Sequence, residues 1–213
     1  MYFHVLRRFY VMADTYHTIE EPSQAIFKEK MSKFLAFAHP VQNVEEAKAI
    51  ISIYSKKYFD ARHVCWAYML GSARERFLSS DNGEPSGTAG KPILGQINSF
   101  GLTDIVVVVV RYFGGIKLGT SGLIAAYREA ARLAISEASI VERHDMTEIT
   151  FTFPYLAMND VMKLTKSGDV SILSQIFDNS CEMTVSTRAD NANTLIGRLA
   201  DIDGVCITSP SEL

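Results

Sequence analysis

The sequence predicts an α+β chain of two domains, and three observations carry that prediction. Residues 105–110 are six β-branched residues in a row, the mark of a central strand buried on both faces of a sheet. From residue 147 the elements read β-α-β-β-α-β within about 65 residues, the order of a ferredoxin-like domain. Charge changes sign between the two parts: residues 1–143 carry 17 Lys and Arg against 14 Asp and Glu, whereas residues 144–213 carry 4 against 10. The boundary falls at residues 143–146, with a first domain over 13–143 and a second over 144–213. Residues 1–12 are expected to be an extension or disordered tail.

In chain order, residues 19–29 and 32–41 read as two strands joined near Lys28-Glu29-Lys30. Asn43 is an N-cap, with Glu45 and Glu46 in the positive first turn. Val44, Ala47, Ile50, Ile51 and Tyr54 share one face of the helix that follows, which ends near Lys57. Residues 62–70 form a strand with Val64, Trp66, Tyr68 and Leu70 on one face and His63, Cys65, Ala67 and Met69 on the other. Residues 71–91, with Gly71, Gly83, Pro85, Gly87 and Gly90, read as a long irregular loop. A helix follows over 91–100, then the strand of residues 105–110. The clearest helix enters at about Ser121, with Leu123, Ile124, Tyr127, Ala131, Ala134 and Ile135 on its apolar face. In the second domain strands are predicted over 148–155, 171–177, 182–188 and 204–208, and helices over 157–165 and 193–200. Asp178-Asn179-Ser180 makes the turn between the middle two strands.

The composition is that of a soluble globular protein, 47% hydrophobic and 21% charged. No apolar run reaches the roughly 18 residues needed to span a bilayer. The three cysteines, Cys65, Cys181 and Cys206, are widely spaced without a CxxC, which argues against a disulfide framework or a zinc ribbon. The expected compartment is the cytoplasm.

Two segments are more than generic. The first is Ser80-Asp81-Asn82-Gly83-Glu84-Pro85-Ser86-Gly87-Thr88-Ala89-Gly90-Lys91-Pro92. The second is Val110-Arg111-Tyr112-Phe113-Gly114-Gly115-Ile116-Lys117-Leu118-Gly119, running into Ser121-Gly122-Leu123. With Asp60-Ala61-Arg62-His63 and Cys65, these resemble the YigZ/IMPACT family, in its bacterial two-domain type, over about residues 20–140. The resemblance implies a first domain like domain IV of elongation factor G, a ribosomal-protein-like β-α fold, and a second that is ferredoxin-like. It also implies a link to nucleic acid or translation. The additional N-terminal domain through which eukaryotic relatives regulate translation is not part of the match, so that route is not carried over. The family loop usually reads Asp-Asp-Gly-Glu-Pro; here Asn82 replaces the second Asp, leaving Asp81 and Glu84 as its carboxylates.

In the second segment the chain leaves a buried strand, passes Gly114, Gly115, Gly119 and Gly122, and enters a helix. Free N–H groups of a first helical turn favour an anion, and glycines allow close approach. Arg111 and Lys117 add fixed charge, so Arg111, Lys117, Gly114, Gly115, Gly119, Ser121 and Gly122 are the predicted phosphate-binding residues. Tight turns on a strand-to-helix connection explain the same glycines equally well. The GxxxxG spacing of Gly114 and Gly119 is followed by Thr120 and Ser121, not the Lys-Ser/Thr of a Walker loop. His63, Asp81 and Glu84 are the candidates for catalysis, against the plainer readings of a surface or core histidine and a turn-forming loop. Thr88 could cap the next helix, and Cys65 reads as a small buried hydrophobe. Tyr112 and Phe113 are the candidates for stacking on bases; Trp66 and Tyr127 read as core. Neither a metal nor a cofactor is expected, since a hard cation needs more oxygen ligands than this loop offers.

The preferred expectation is a cytoplasmic binding module that contacts RNA, or a ribosomal or other translation-linked protein, without catalysis. The alternatives are an enzyme or small-ligand binder using both glycine-rich loops as one pocket, and a protein-interaction surface with purely structural loops. Nothing in the sequence sets the oligomeric state.

Overall fold

The valine-rich run becomes the middle of the larger of the molecule's sheets. In the computed structural model, which describes residues 15–166, 168–178 and 180–211, the chain divides into two compact units meeting at residues 143 and 144. The predicted extension of residues 1–12 lies outside the described residues, as do Asn179 of the predicted turn and Ser167 after the first helix of the second unit.

The first unit opens with β1 (Thr15–Ile19), β2 (Ser23–Glu29), β3 (Ser32–Pro40), α1 (Val44–Lys57), β4 (His63–Leu70) and β5 (Arg76–Ser80). It continues with α2 (Gly90–Ser99), β6 (Ile105–Tyr112), α3 (Gly119–Ser136) and β7 (Ile140–His144). Five strands form one sheet in the order β2-β3-β6-β4-β5, every neighbouring pair antiparallel, and β1 pairs with β7 separately. Strand β6 is central, so both of its faces are covered. Val107 and Val109 join Phe34, Ala36, Cys65 and Ala67 beneath α2 and α3. Val106, Val108 and Val110 join Leu35, Phe37, Val64 and Tyr68 beneath α1. Each fully buried valine contributes roughly 1.5–3 kcal/mol. Helix α1 starts where predicted: the Asn43 side chain accepts from the Glu46 N–H at 2.8 Å, and the Glu46 carboxylate accepts in return from the Gln42 N–H at 2.9 Å.

The structure departs from the predicted elements at four places in this unit. The strand expected over 19–29 is two, broken around Pro22, which has no N–H to give a ladder. The loop of residues 71–91 contains β5, an edge strand without a β-branched residue that pairs with residues 66–70 of β4. Strand β7, charged and without clean alternation, was not predicted at all. Helix α3 begins at Gly119, so Ser121 and Gly122 lie inside its first turn.

The second unit runs β8 (Met146–Phe153), α4 (Met158–Thr165), β9 (Val170–Phe177), β10 (Cys181–Arg188), α5 (Ala189–Ala200) and β11 (Cys206–Ser211). Its antiparallel sheet has the order β11-β8-β10-β9. Ile149, Phe151, Phe153, Cys181, Met183 and Val185 bury one face of it with Val161, Leu195 and Leu199 from the two helices. Helix α5 starts four residues earlier than expected and β11 ends three later.

Among the glycines of the second motif, Gly114 is the one whose neighbours admit no side chain. A Cβ there would overlap the Met31 carbonyl and the Ser32 nitrogen, both backbone. Gly115, at φ +88°, has open space around its missing Cβ. Gly114→Ala should therefore cost about 1–3 kcal/mol or more through forced backbone movement. Gly115→Ala should cost only the roughly 1–2 kcal/mol of a left-handed residue. Urea midpoints of the two variants check the order.

Candidate functional site

Four connections meet at one end of the five-stranded sheet. They are the β2–β3 turn, the α1–β4 connection, the loop after β5, and the loop between β6 and α3. Register explains the meeting: Arg111, near the end of β6, stands opposite Phe34 on β3 and His63 on β4. Arg111 has the parity of Val107 and Val109, so its side chain enters the layer of α2 and α3 rather than solvent. It is 6% exposed.

There the Arg111 Nη1 donates to Glu84 Oε1 at 2.7 Å, and the Tyr127 hydroxyl from α3 donates to the same oxygen at 2.8 Å. Both side chains of the ion pair are buried, and Tyr127 is wholly so. The Cys65 Sγ lies 3.0 Å from the Asp81 carbonyl and 3.3 Å from the Tyr127 hydroxyl. Burial, with Glu84 and Asp81 close by, pushes the Cys65 thiol up to about 12, which removes it as a nucleophile at neutral pH. Burial likewise raises the Tyr127 phenol, so it stays a donor.

The loop after β5 is held by its own polar atoms. The Asp81 carboxylate accepts from the N–H groups of Gly87 at 2.7 Å, Ala89 at 2.9 Å and Gly90 at 2.8 Å. Burial pushes its pKa up, but these bonds, with Lys91 nearby, outweigh that and hold it below the usual value. Asp81 thus caps α2 from a distance. Thr88, the predicted cap, donates instead to the Pro85 carbonyl at 2.6 Å. The Asn82 amide donates to the Val64 carbonyl at 2.9 Å. His63 Nδ1 lies 2.8 Å from the Asn82 carbonyl, which can only accept, so the proton sits on Nδ1. Its Nε2 is 3.9 Å from Glu84 Oε1, too long for a hydrogen bond.

The three catalytic candidates, His63, Asp81 and Glu84, are therefore neighbours, but each is engaged in holding the loop. Asp81 gives both oxygens to backbone N–H groups and Glu84 gives Oε1 to Arg111 and Tyr127, and among the described residues no group of three His, Cys, Asp or Glu could hold a metal ion.

The predicted phosphate-binding residues separate. Arg111 faces inward and pairs with Glu84, which corrects its expected role as an anion grip. Gly114 packs on the β2–β3 turn, and its N–H donates to the Ser32 Oγ at 3.3 Å. Lys117 and Ser121 are exposed, Gly115 and Gly119 take positive φ, and no side chain caps α3. A groove of about 410 Å³ between α2 and α3 is lined by Gly87, Lys91, Gln96, Ile124 and Arg128 among others, and no glycine of the second loop lines it.

Lys117 and Phe113 were singled out in the sequence, but the rest of what this end of the sheet offers to solvent was missed. Lys30, Lys33, Arg62 and Lys117 are exposed there and form no ion pair among the described residues. Phe59 is 85% exposed, Phe113 45%, and Met31 and Ile116 are exposed beside them. Asp60 accepts from the Tyr112 hydroxyl at 2.9 Å. With Asp81 and Glu84 committed inside, Glu29 is left as the nearby carboxylate without such a bond. The basic and aromatic run Lys56-Lys57-Tyr58-Phe59 was visible, but not its adjacency to the end of β6.

A family model described as the Impact N-terminal domain matches residues 30–135. The chain is 32% identical over 182 residues to the IMPACT family member YigZ of Escherichia coli (strain K12), covering 84% of this chain and 89% of that one. It is 35% identical over 159 residues to an IMPACT family member of Haemophilus influenzae, covering 73% and 77%. A crystal structure of a hypothetical protein is similar at 29% identity with a TM-score of 0.73, covering 94% of this chain and 99% of that one.

Removing Glu84 leaves a buried guanidinium unpaired, so Glu84→Ala should lose about 3–5 kcal/mol in chemical denaturation. Asp81 has a lower pKa folded than unfolded. Its stabilisation is whole above about pH 4 and is lost as pH falls through the lower folded value. Asp81→Asn should be less stable at neutral pH and should flatten the acid limb of a stability–pH curve. A limb as steep as that of the parent would show the carboxylate does not carry it.

Proposed function

The chain belongs to the IMPACT family, and on that footing we propose that its first unit is an RNA-binding module linked to translation and working in the cytoplasm. One observation carries the reading: at the end of the sheet Lys30, Lys33, Arg62 and Lys117 are exposed and form no ion pair among the described residues, while Glu84 is paired with Arg111 and Asp81 is bonded to backbone N–H groups of its own loop. A phosphate backbone meets mostly unopposed cations there, whatever the net charge of the whole chain. Lys30 and Met31 occupy the β2–β3 turn at φ +43° and +67°. Positive φ at both central residues is what a two-residue hairpin loop of the primed type requires, so the turn itself accounts for it. Among the described residues no helix is long and apolar enough to cross a membrane. The finer fold assignments belong to the same proposal. A β-α-β-β-α-β order with the sheet order β11-β8-β10-β9 supports a ferredoxin-like second unit. The elongation-factor-like first unit rests on the family alone.

The groove between α2 and α3 favours a second reading, capture of a small anion by Lys91 and Arg128, which line it together. Inorganic phosphate or nucleoside monophosphates would then raise the melting temperature near saturation. Catalysis finds little support, because His63, Asp81, Glu84 and Cys65 are all engaged or held neutral.

The test is fluorescence anisotropy of a labelled single-stranded RNA across a salt series, beside a Lys30→Ala/Lys33→Ala/Lys117→Ala variant. Affinity should fall log-linearly with salt, and the variant should lower the slope by about 0.7 for each phosphate it no longer neutralises. Absence of binding at about 50 mM salt, or an unchanged slope in the variant, would overturn the reading. Arg111 is left out of the variant because its removal would orphan Glu84 and unfold the site.

A further inference from the structure

Phe113 differs from the other exposed aromatics on this unit in what lies under it. The Arg111 guanidinium carbon is 5.6 Å from the Phe113 ring centroid and also 5.6 Å from that of the buried Phe34. The guanidinium is itself fixed by its 2.7 Å bond to Glu84. Phe113 is thus an exposed ring with a buried, charged support, whereas Phe59 is 85% exposed and meets no ring or cation among the described residues. Holding such a ring ready costs little when a ligand arrives, because its ordering is already done by the folded chain. Lys117 follows four residues later on the same connection and is exposed.

Resting on the RNA-binding reading, we infer that Phe113 is a base-stacking residue, and that the ligand is single-stranded RNA with at least one unstacked base rather than a duplex. A flat ring with a cation behind it and lysines around it suits the π-face of a base joined to a phosphate. A duplex presents phosphates and groove edges but keeps its base faces covered, so it could use the lysines without using Phe113. The network of Tyr127, Glu84 and Arg111 then positions the platform and does not itself touch the nucleic acid.

The experiment compares the full chain with Phe113→Leu and Phe113→Tyr, on a single-stranded 12-nucleotide RNA, on the same RNA with abasic sites, and on a duplex of equal length. Leucine keeps an apolar contact over Arg111 but has no π-face; tyrosine restores the ring. Phe113→Leu should weaken single-strand binding about tenfold, within the range for loss of one base–aromatic stack. Its salt slope should match that of the parent, since the same phosphates are neutralised, and Phe113→Tyr should bind as the parent does. The abasic RNA should bind the parent and Phe113→Leu equally. Equal binding of intact RNA by Phe113→Leu and the parent would overturn the stacking role while leaving the binding module standing. Equal losses on the duplex would overturn the single-strand assignment. If the parent binds none of the three RNAs, the module reading itself fails and this inference with it.

Discussion

A carboxylate and a guanidinium at 2.7 Å, both shut away from water, tie three stretches of chain to one point. Arg111 comes from the central strand, Glu84 from a loop without regular structure, and Tyr127 from α3. Desolvating the two charges costs several kcal/mol each, and an apolar trio of similar volume would pack at least as stably. What an apolar trio would lack is direction. Glu84 accepts from Arg111 and Tyr127 at one oxygen, and that geometry permits a single seat for the loop. The Asp81 carboxylate, bonded to three N–H groups further along, then has little freedom left. The same pair removes a negative charge from the rim and puts a positive one beneath Phe113. Loop shape, rim charge and platform all depend on it.

Much of the frame could be read directly. The Asn43 cap, the two faces of β4 and the central position of β6 follow from spacing and capping chemistry, and the register agrees with them. The destination of Arg111 was not legible, for a physical reason. In a strand buried on both faces, hydrophobicity shows no period of two, so nothing in residues 105–110 marks which face the next residue joins. Only pairing with β3 and β4 decides it, and that sends Arg111 inward. Strand β5 was hidden because its five residues are mostly exposed, and an edge strand takes its stability from its partner more than from its own side chains.

The departure at Asn82 has a physical account that its comparison with the family motif did not suggest. Taken as a missing carboxylate, it weakens a divalent-ion site. In the folded loop the residue sits at φ +39°, a conformation asparagine tolerates well, and its amide nitrogen donates to the Val64 carbonyl. An ionised aspartate at that seat could not donate and would set two acceptors facing each other. With Asn82 the loop is tied to β4 at both the side chain and the carbonyl, the latter through His63. The residue therefore fits a loop held by the protein itself better than one held by a cation.

The formal net charge of −3 is a poor guide to what this chain would attract. At physiological ionic strength charges separated by more than about 8–10 Å hardly feel one another, so a polyanion responds to the few groups within one Debye length. The sum also adds two stretches of opposite sign, residues 1–143 with 17 Lys and Arg against 14 Asp and Glu and residues 144–213 with 4 against 10. Within the first unit the sum misleads again. Glu84 counts as a negative charge, but the Arg111 guanidinium beside it cancels that charge, whereas Asp60 and Asp81 keep theirs. The charge that matters is the charge left over after the fold has satisfied itself, and at this end of the sheet the remainder is positive.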